Sequence, residues 1–282
     1  MHDLNDLRPS ADRVDSRTRR LPPWLVLASL PVAFVVMQLG SSVMQGVAMT
    51  LLVHAGLSHT LAQSYSTLVG MAAGSLLLLL VTLVVPLTQS LKPIALLGFR
   101  SARPMVFVWA ALGTVALSPL ADVLMGTMAR FLPDRTLGTV PMLHELAKTL
   151  PIALVWPVFA VLPGIAEEAF FRGLLLRSFD QAARAVLVSG ACFALFHVDP
   201  HHVVGVLPLG LFLSWVGFHH GLWVTMVAHV VNNTLAVVTI HISKLDVGYG
   251  TDTPMPLWWL PAGLALWLAC VALLRTARQP QD

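Results

Sequence analysis

Glu167, Glu168 and Arg172 occur within GIAEEAFFRG, His197 closes ACFALFH, and His229 and Asn233 lie four apart in HVVNN. These types suit a hydrolytic site. A carboxylate paired with an imidazole can hold a water molecule and deprotonate it as general base. A second imidazole and a side-chain amide can donate hydrogen bonds to the oxyanion of a tetrahedral intermediate. The same Glu167, His197 and His229 also offer N and O ligands to zinc, with a fourth position open for water. No HExxH occurs in the chain. The residues alone leave metal-bound and metal-free activation of water both open.

Spacing divides the labour. Glu168 and Arg172 are four apart, so on a helix they share a face and can pair, with the acid on the favourable N-terminal side. Glu167 is rotated from Glu168 by about 100° and can point away from the arginine. One carboxylate then braces and the other reacts. Phe193 lies four residues before His197, on the same face. Each piece also has a plainer reading. The Glu–Arg pair could be a helix-end ion pair with both glutamates reaching outward. His197 could be a hydrogen-bonded core residue, and His229 with Asn232 and Asn233 a polar contact between helices. The joint pattern, spread over three helices, favours chemistry. His201 and His202 are expected in an outer loop, and His219 and His220 in an inner turn, in solvated or interfacial roles.

The elements that must position these groups cross a membrane. The chain is 56% hydrophobic and 11% charged with mean hydropathy +0.77, against about 25% charged residues in a soluble domain. Ionisable groups inside a span are costly and face the bundle interior or a wet cavity. Only three glutamates occur in the chain, which makes the adjacent pair conspicuous. A span needs about 20 apolar residues. Eight are expected, at about 24–53, 65–87, 105–128, 150–176, 185–197, 203–218, 222–241 and 257–274. The fourth continues through Pro157 and Pro163, and PIALLGF, before the third, lies in the interface. The fold class is all-α, a polytopic membrane helix bundle. Residues 1–20 form a polar cytosolic tail and 21–282 one transmembrane domain, with the motif-bearing core at about 150–241. The first apolar run acts as a retained signal anchor.

Basic residues are distributed to match. With both termini cytosolic, 13 of the 17 Lys and Arg, Arg172 among them, fall on inside segments, as the positive-inside rule favours. That pattern accounts for the net charge of +3 without nucleic acid as a partner. Short basic loops point to a bacterial inner membrane. Cys192 and Cys270 sit in apolar runs and are expected as small buried hydrophobes. One tension stands out. If the fourth and fifth spans both cross fully, Glu167 and His197 lie near opposite faces, so the fifth must be short and embedded, or the helices must tilt.

EEAFFR fits EExxxR, FALFH fits FxxxH and HVVNN fits HxxxN. In this order on successive helices, over about 162–235, the chain resembles the CAAX prenyl protease and bacteriocin-processing (CPBP, also called Abi) family of intramembrane proteases. The resemblance implies an endopeptidase acting on a membrane-associated or lipidated protein. It implies Glu167 as the activator of water assisted by His197, His229 and Asn233 as oxyanion donors, and Glu168 and Arg172 as supports. Zinc or no metal remains open, since members of the family are described both ways. A non-catalytic immunity or scaffold protein on the same fold is the alternative. A transporter is disfavoured by the lack of paired broken helices or repeated halves.

Overall fold

The computed structural model describes residues 20–132, 139–243, 255–256 and 258–277. The tail expected over 1–20 lies outside these residues, Arg20 excepted. Ten helices organise the described residues: α1 (Pro23–His54), α2 (His59–Leu87), α3 (Pro104–Ala116), α4 (Ser118–Phe131), α5 (Thr139–Thr149), α6 (Ile152–Ser178), α7 (Ala182–Leu195), α8 (Pro200–His220), α9 (Leu222–His241) and α10 (Trp259–Thr276). PIAL of the interfacial segment forms a single turn, Pro93–Leu96. No strand occurs among the described residues.

Among the described residues, seven stretches are long and apolar enough to cross a membrane: α1, α2, α3 with α4, α6, α8, α9 and α10. The protein is an integral, multi-pass helical bundle. Helix α1 is about 48 Å long at 1.5 Å per residue, well beyond the hydrocarbon, and it packs along α2. Its other face leaves Leu39, Val43, Val47 and Leu51 exposed, as a surface facing lipid must. The third expected span is interrupted. It breaks at Leu117, and α4 begins Ser118-Pro119, where proline lacks the N–H that would continue the ladder.

The expected fifth span is α7, with only 14 residues, about 21 Å of helix. That is too short for about 30 Å of hydrocarbon. The sixth, expected to be short as well, is a full 21-residue helix, α8. Its start is dictated locally: Pro200 occupies the first turn, and the Asp199 side chain caps it by accepting from the His201 amide at 3.0 Å. Helices α7 and α8 lie backbone to backbone. A Cβ on Gly190 would come within 2.9 Å of the Leu211 amide nitrogen, and one on Gly210 within 2.8 Å of the Gly190 carbonyl. Only glycine permits that approach.

Helix α6 runs through the middle. Phe170 and Phe171 are fully buried and join Val26 and Ala33 of α1, Leu78 of α2 and Phe193 of α7 in one core. A second core joins α3, α8, α9 and α10 through Val106, Leu213, Val216, Val224 and Leu274. Cys192 is half-buried, Cys270 is buried, and both are free.

Candidate active site

The two glutamates sit on an irregular stretch of α6. An α-turn, Leu162–Glu168, lies between π-helical segments at Pro157–Val161 and Ala169–Leu175. Pro157 and Pro163 remove two backbone donors there, and wider i→i+5 turns absorb the mismatch. Such π-turns advance the helix face and are frequent at functional sites.

Glu168 is at the centre. Its side chain and that of Arg172 are both 0% exposed, and Arg172 Nη1 donates to Glu168 Oε1 at 2.8 Å. The helix-end reading of this pair is therefore excluded, and Arg172 belongs to the interior instead of the inner-face basic residues. Burial demands more than one partner for such a charge, and Arg172 has three. Its Nη2 donates to the Gly210 carbonyl at 3.0 Å. Its guanidinium lies 4.3 Å from the centre of the Phe193 ring, a cation–π contact.

Phe193 is the hub. Its ring meets Phe171, His197 and His229 edge to face, with centroids 5.4, 5.1 and 5.6 Å away. The sequence placed Phe193 on the face of His197; that it also carries Arg172 and His229 was not legible. The short α7 makes this possible, because its end stays within the bundle, beside the residues of α6.

His229, on α9, bridges the glutamates. Its Nδ1 lies 2.8 Å from Glu168 Oε1 and its Nε2 3.9 Å from Glu167 Oε2. Glu168 Oε1 accepts a hydrogen bond from Nδ1–H, so the ring is held with Nε2 aimed at Glu167. Glu167 retains 21% side-chain exposure, against 4% for His229. This contrasts with its buried neighbour, as the 100° offset anticipated. On α9 the Asn233 Oδ1 accepts from Asn232 Nδ2 at 3.4 Å, which leaves the Asn233 amide donors for another acceptor. One residue further, Thr234 Oγ1 accepts from Trp156 Nε1 at 2.8 Å and ties α9 to α6.

His197 Nδ1 lies 3.0 Å from the Phe193 carbonyl. A carbonyl can only accept, so Nδ1 carries the proton and Nε2 its lone pair. Glu167, His197 and His229 do not form a metal cage. Among the described residues no three His, Cys, Asp or Glu side chains are placed to hold an ion. Zinc does not fit this arrangement.

Residues 149–235 match the family model described as type II CAAX prenyl endopeptidase Rce1-like. Over that stretch the chain is similar to this family. No curated protein and no solved structure matches the chain. The matched stretch runs from the end of α5 into α9 and contains every residue named above from Trp156 to Thr234.

Sequence reasoning missed part of the matched core. Ser189 Oγ donates to the Phe171 carbonyl at 2.8 Å and receives Ser214 Oγ at 3.2 Å, a buried thread linking α6, α7 and α8. A Ser and a Gly in apolar runs, SG at 189–190 and LG at 209–210, were the available signal. The loop histidines also need correction. His201 and His220 are buried. His201 is held between Asp199 Oδ1 and the Leu132 carbonyl, at 3.1 and 2.7 Å. His202 packs on His197 with ring centroids 4.4 Å apart.

Proposed function

We propose that this chain is an intramembrane endopeptidase that hydrolyses a peptide bond in a membrane-associated or lipidated protein. The carrying observation is His229 set between two unlike glutamates, one locked to a fully buried arginine and one partly open. A polar contact between helices needs no such differentiation.

Two carboxylates close together call for two positive charges in a low-dielectric interior. Arg172 supplies one. His229 supplies the other when its Nε2 also carries a proton, donating from Nδ1 to Glu168 and presenting Nε2–H beside Glu167. The 3.9 Å between Nε2 and Glu167 Oε2 is a distance one water molecule can bridge. In the reaction Glu167 takes a proton from water while the oxygen attacks the peptide carbonyl carbon. His197, with its Nε2 lone pair, assists as a second acceptor. The resulting oxyanion takes hydrogen bonds from His229 Nε2–H and the Asn233 amide. Glu167 then returns the proton to the departing nitrogen as the C–N bond breaks, leaving a carboxyl and an amine terminus. Glu168 and Arg172 touch no reacting atom; they hold His229.

The same reading takes residues 21–282 as one membrane domain with its working core at 150–241, in a bacterial inner membrane. The test uses purified protein in lipid vesicles and a fluorogenic, farnesylated peptide with a CAAX-type terminus. Cleavage by wild type and loss of cleavage in Glu167→Gln, at equal incorporation, supports the reading. Equal turnover by both proteins refutes the role of Glu167.

A further inference from the structure

The turn between α7 and α8 is tighter than a connection between two membrane helices requires. His197, Val198 and Asp199 reverse the chain, and the Asp199 amide reaches back to the His197 carbonyl at 2.7 Å. Val198 adopts φ +62°, one of two non-glycine residues with positive φ among those described. A β-branched side chain is strongly disfavoured there. Strained backbone of this kind persists only when its surroundings over-determine it, and it concentrates at working sites.

The surroundings are visible. Asp199 caps α8 through the His201 amide, and His201 anchors the first turn of α8 to the Leu132 carbonyl at the end of α4. The Gly190–Gly210 crossing fixes α7 against α8 from below. Held on both sides, the reversal at Val198 folds the first turn of α8 back over the end of α7. The residue delivered there is His202. Its ring lies 4.4 Å from that of His197 at an interplanar angle of 56°. The ring of Phe193 packs on His197 as well, at 5.1 Å and 74°. His197 is thus flanked by two rings while its Nδ1 is tied to the Phe193 carbonyl. The three contacts together leave the imidazole little freedom to rotate.

We infer that His202 is a positioning residue for His197, brought into place by the strained turn at Val198. The inference rests on the proposed role of His197 in the hydrolytic reading. His202 acts by ring contact, not by proton transfer, so another flat ring can replace it.

The experiment compares full-length wild type, His202→Ala and His202→Phe in detergent. The rate at which diethylpyrocarbonate modifies His197 is read by mass spectrometry, with the exposed His59 as internal reference. His202→Ala is expected to raise the His197 rate at least threefold, and His202→Phe to stay within twofold of wild type. The same three proteins, with Glu167→Gln beside them, are assayed on the farnesylated peptide. The expectation is a roughly tenfold loss of kcat for His202→Ala with KM unchanged, restored by His202→Phe. An unchanged His197 rate in His202→Ala overturns the inference, as does a phenylalanine variant that behaves like alanine. Turnover by Glu167→Gln removes the hydrolytic reading instead, and the modification rates still decide whether His202 positions His197.

Discussion

Replacing Arg172 by methionine is the sharpest perturbation of the buried centre. The side chain is fully enclosed, so its loss strands the Glu168 carboxylate in the interior with His229 as its remaining ionic partner. Removing one member of a buried pair costs about 3–5 kcal/mol, because the survivor keeps its desolvation penalty. The Gly210 carbonyl loses its donor as well, at about 1–3 kcal/mol when such a group stays buried and unpaired. A total of at least about 3 kcal/mol shifts the folded ratio by about a hundredfold, since each 1.4 kcal/mol is a factor of ten. The natural control is Glu168→Gln combined with Arg172→Met. It removes both charges, keeps an acceptor for His229 and conserves volume, so it should recover most of the stability while remaining inactive. The assay is heat challenge in detergent followed by size-exclusion of the surviving monodisperse fraction. If the single Arg172→Met variant is as stable as wild type, or the double variant is no better than the single, the pair is not the brace argued here.

Other outcomes follow from the same geometry. Asn233→Ala should lower kcat about 10²–10³-fold, as loss of one oxyanion donor does, with KM on the farnesylated peptide little changed. Glu167→Gln should leave heat resistance at the wild-type level, since that side chain is partly open, in contrast to Glu168→Ala, which should unfold more easily. Gly190→Val should abolish folded protein in membranes, because a Cβ there meets the Leu211 backbone at 2.9 Å; normal yield would contradict the close crossing. Val198→Gly should gain up to about 1 kcal/mol by removing left-handed strain, measured as increased heat resistance, yet lower kcat by loosening the turn.

The sequence made some of this legible for clear reasons. Hydropathy marks where helices run, and a four-residue spacing marks which residues share a face. The pairing of Glu168 with Arg172, the offset of Glu167 and the alignment of Phe193 with His197 all followed from that. Contacts between helices did not, because their depth and rotation depend on packing. His229 bonds Glu168 because α9 meets α6 at one height, and no spacing within HVVNN encodes that height. Arg172 looked like an inner-face charge because hydropathy does not distinguish a lining arginine from a flanking one. The shortness of α7 was suspected from length alone; its consequence, Phe193 between Arg172 and two imidazoles, required the Gly190–Gly210 crossing. His202 looked like a loop residue because nothing in HVDPHH announces a positive φ at valine.

Whether Glu167 drives hydrolysis of peptide bonds in membrane proteins can be measured without assuming a substrate. Membranes are collected from native-host cells producing wild type or Glu167→Gln at matched levels, and all protein termini are quantified under several growth conditions. New termini in membrane-associated proteins are expected with wild type, absent with Glu167→Gln and reproduced when purified wild type is added back. Indistinguishable terminus profiles across those conditions would contradict that role of Glu167.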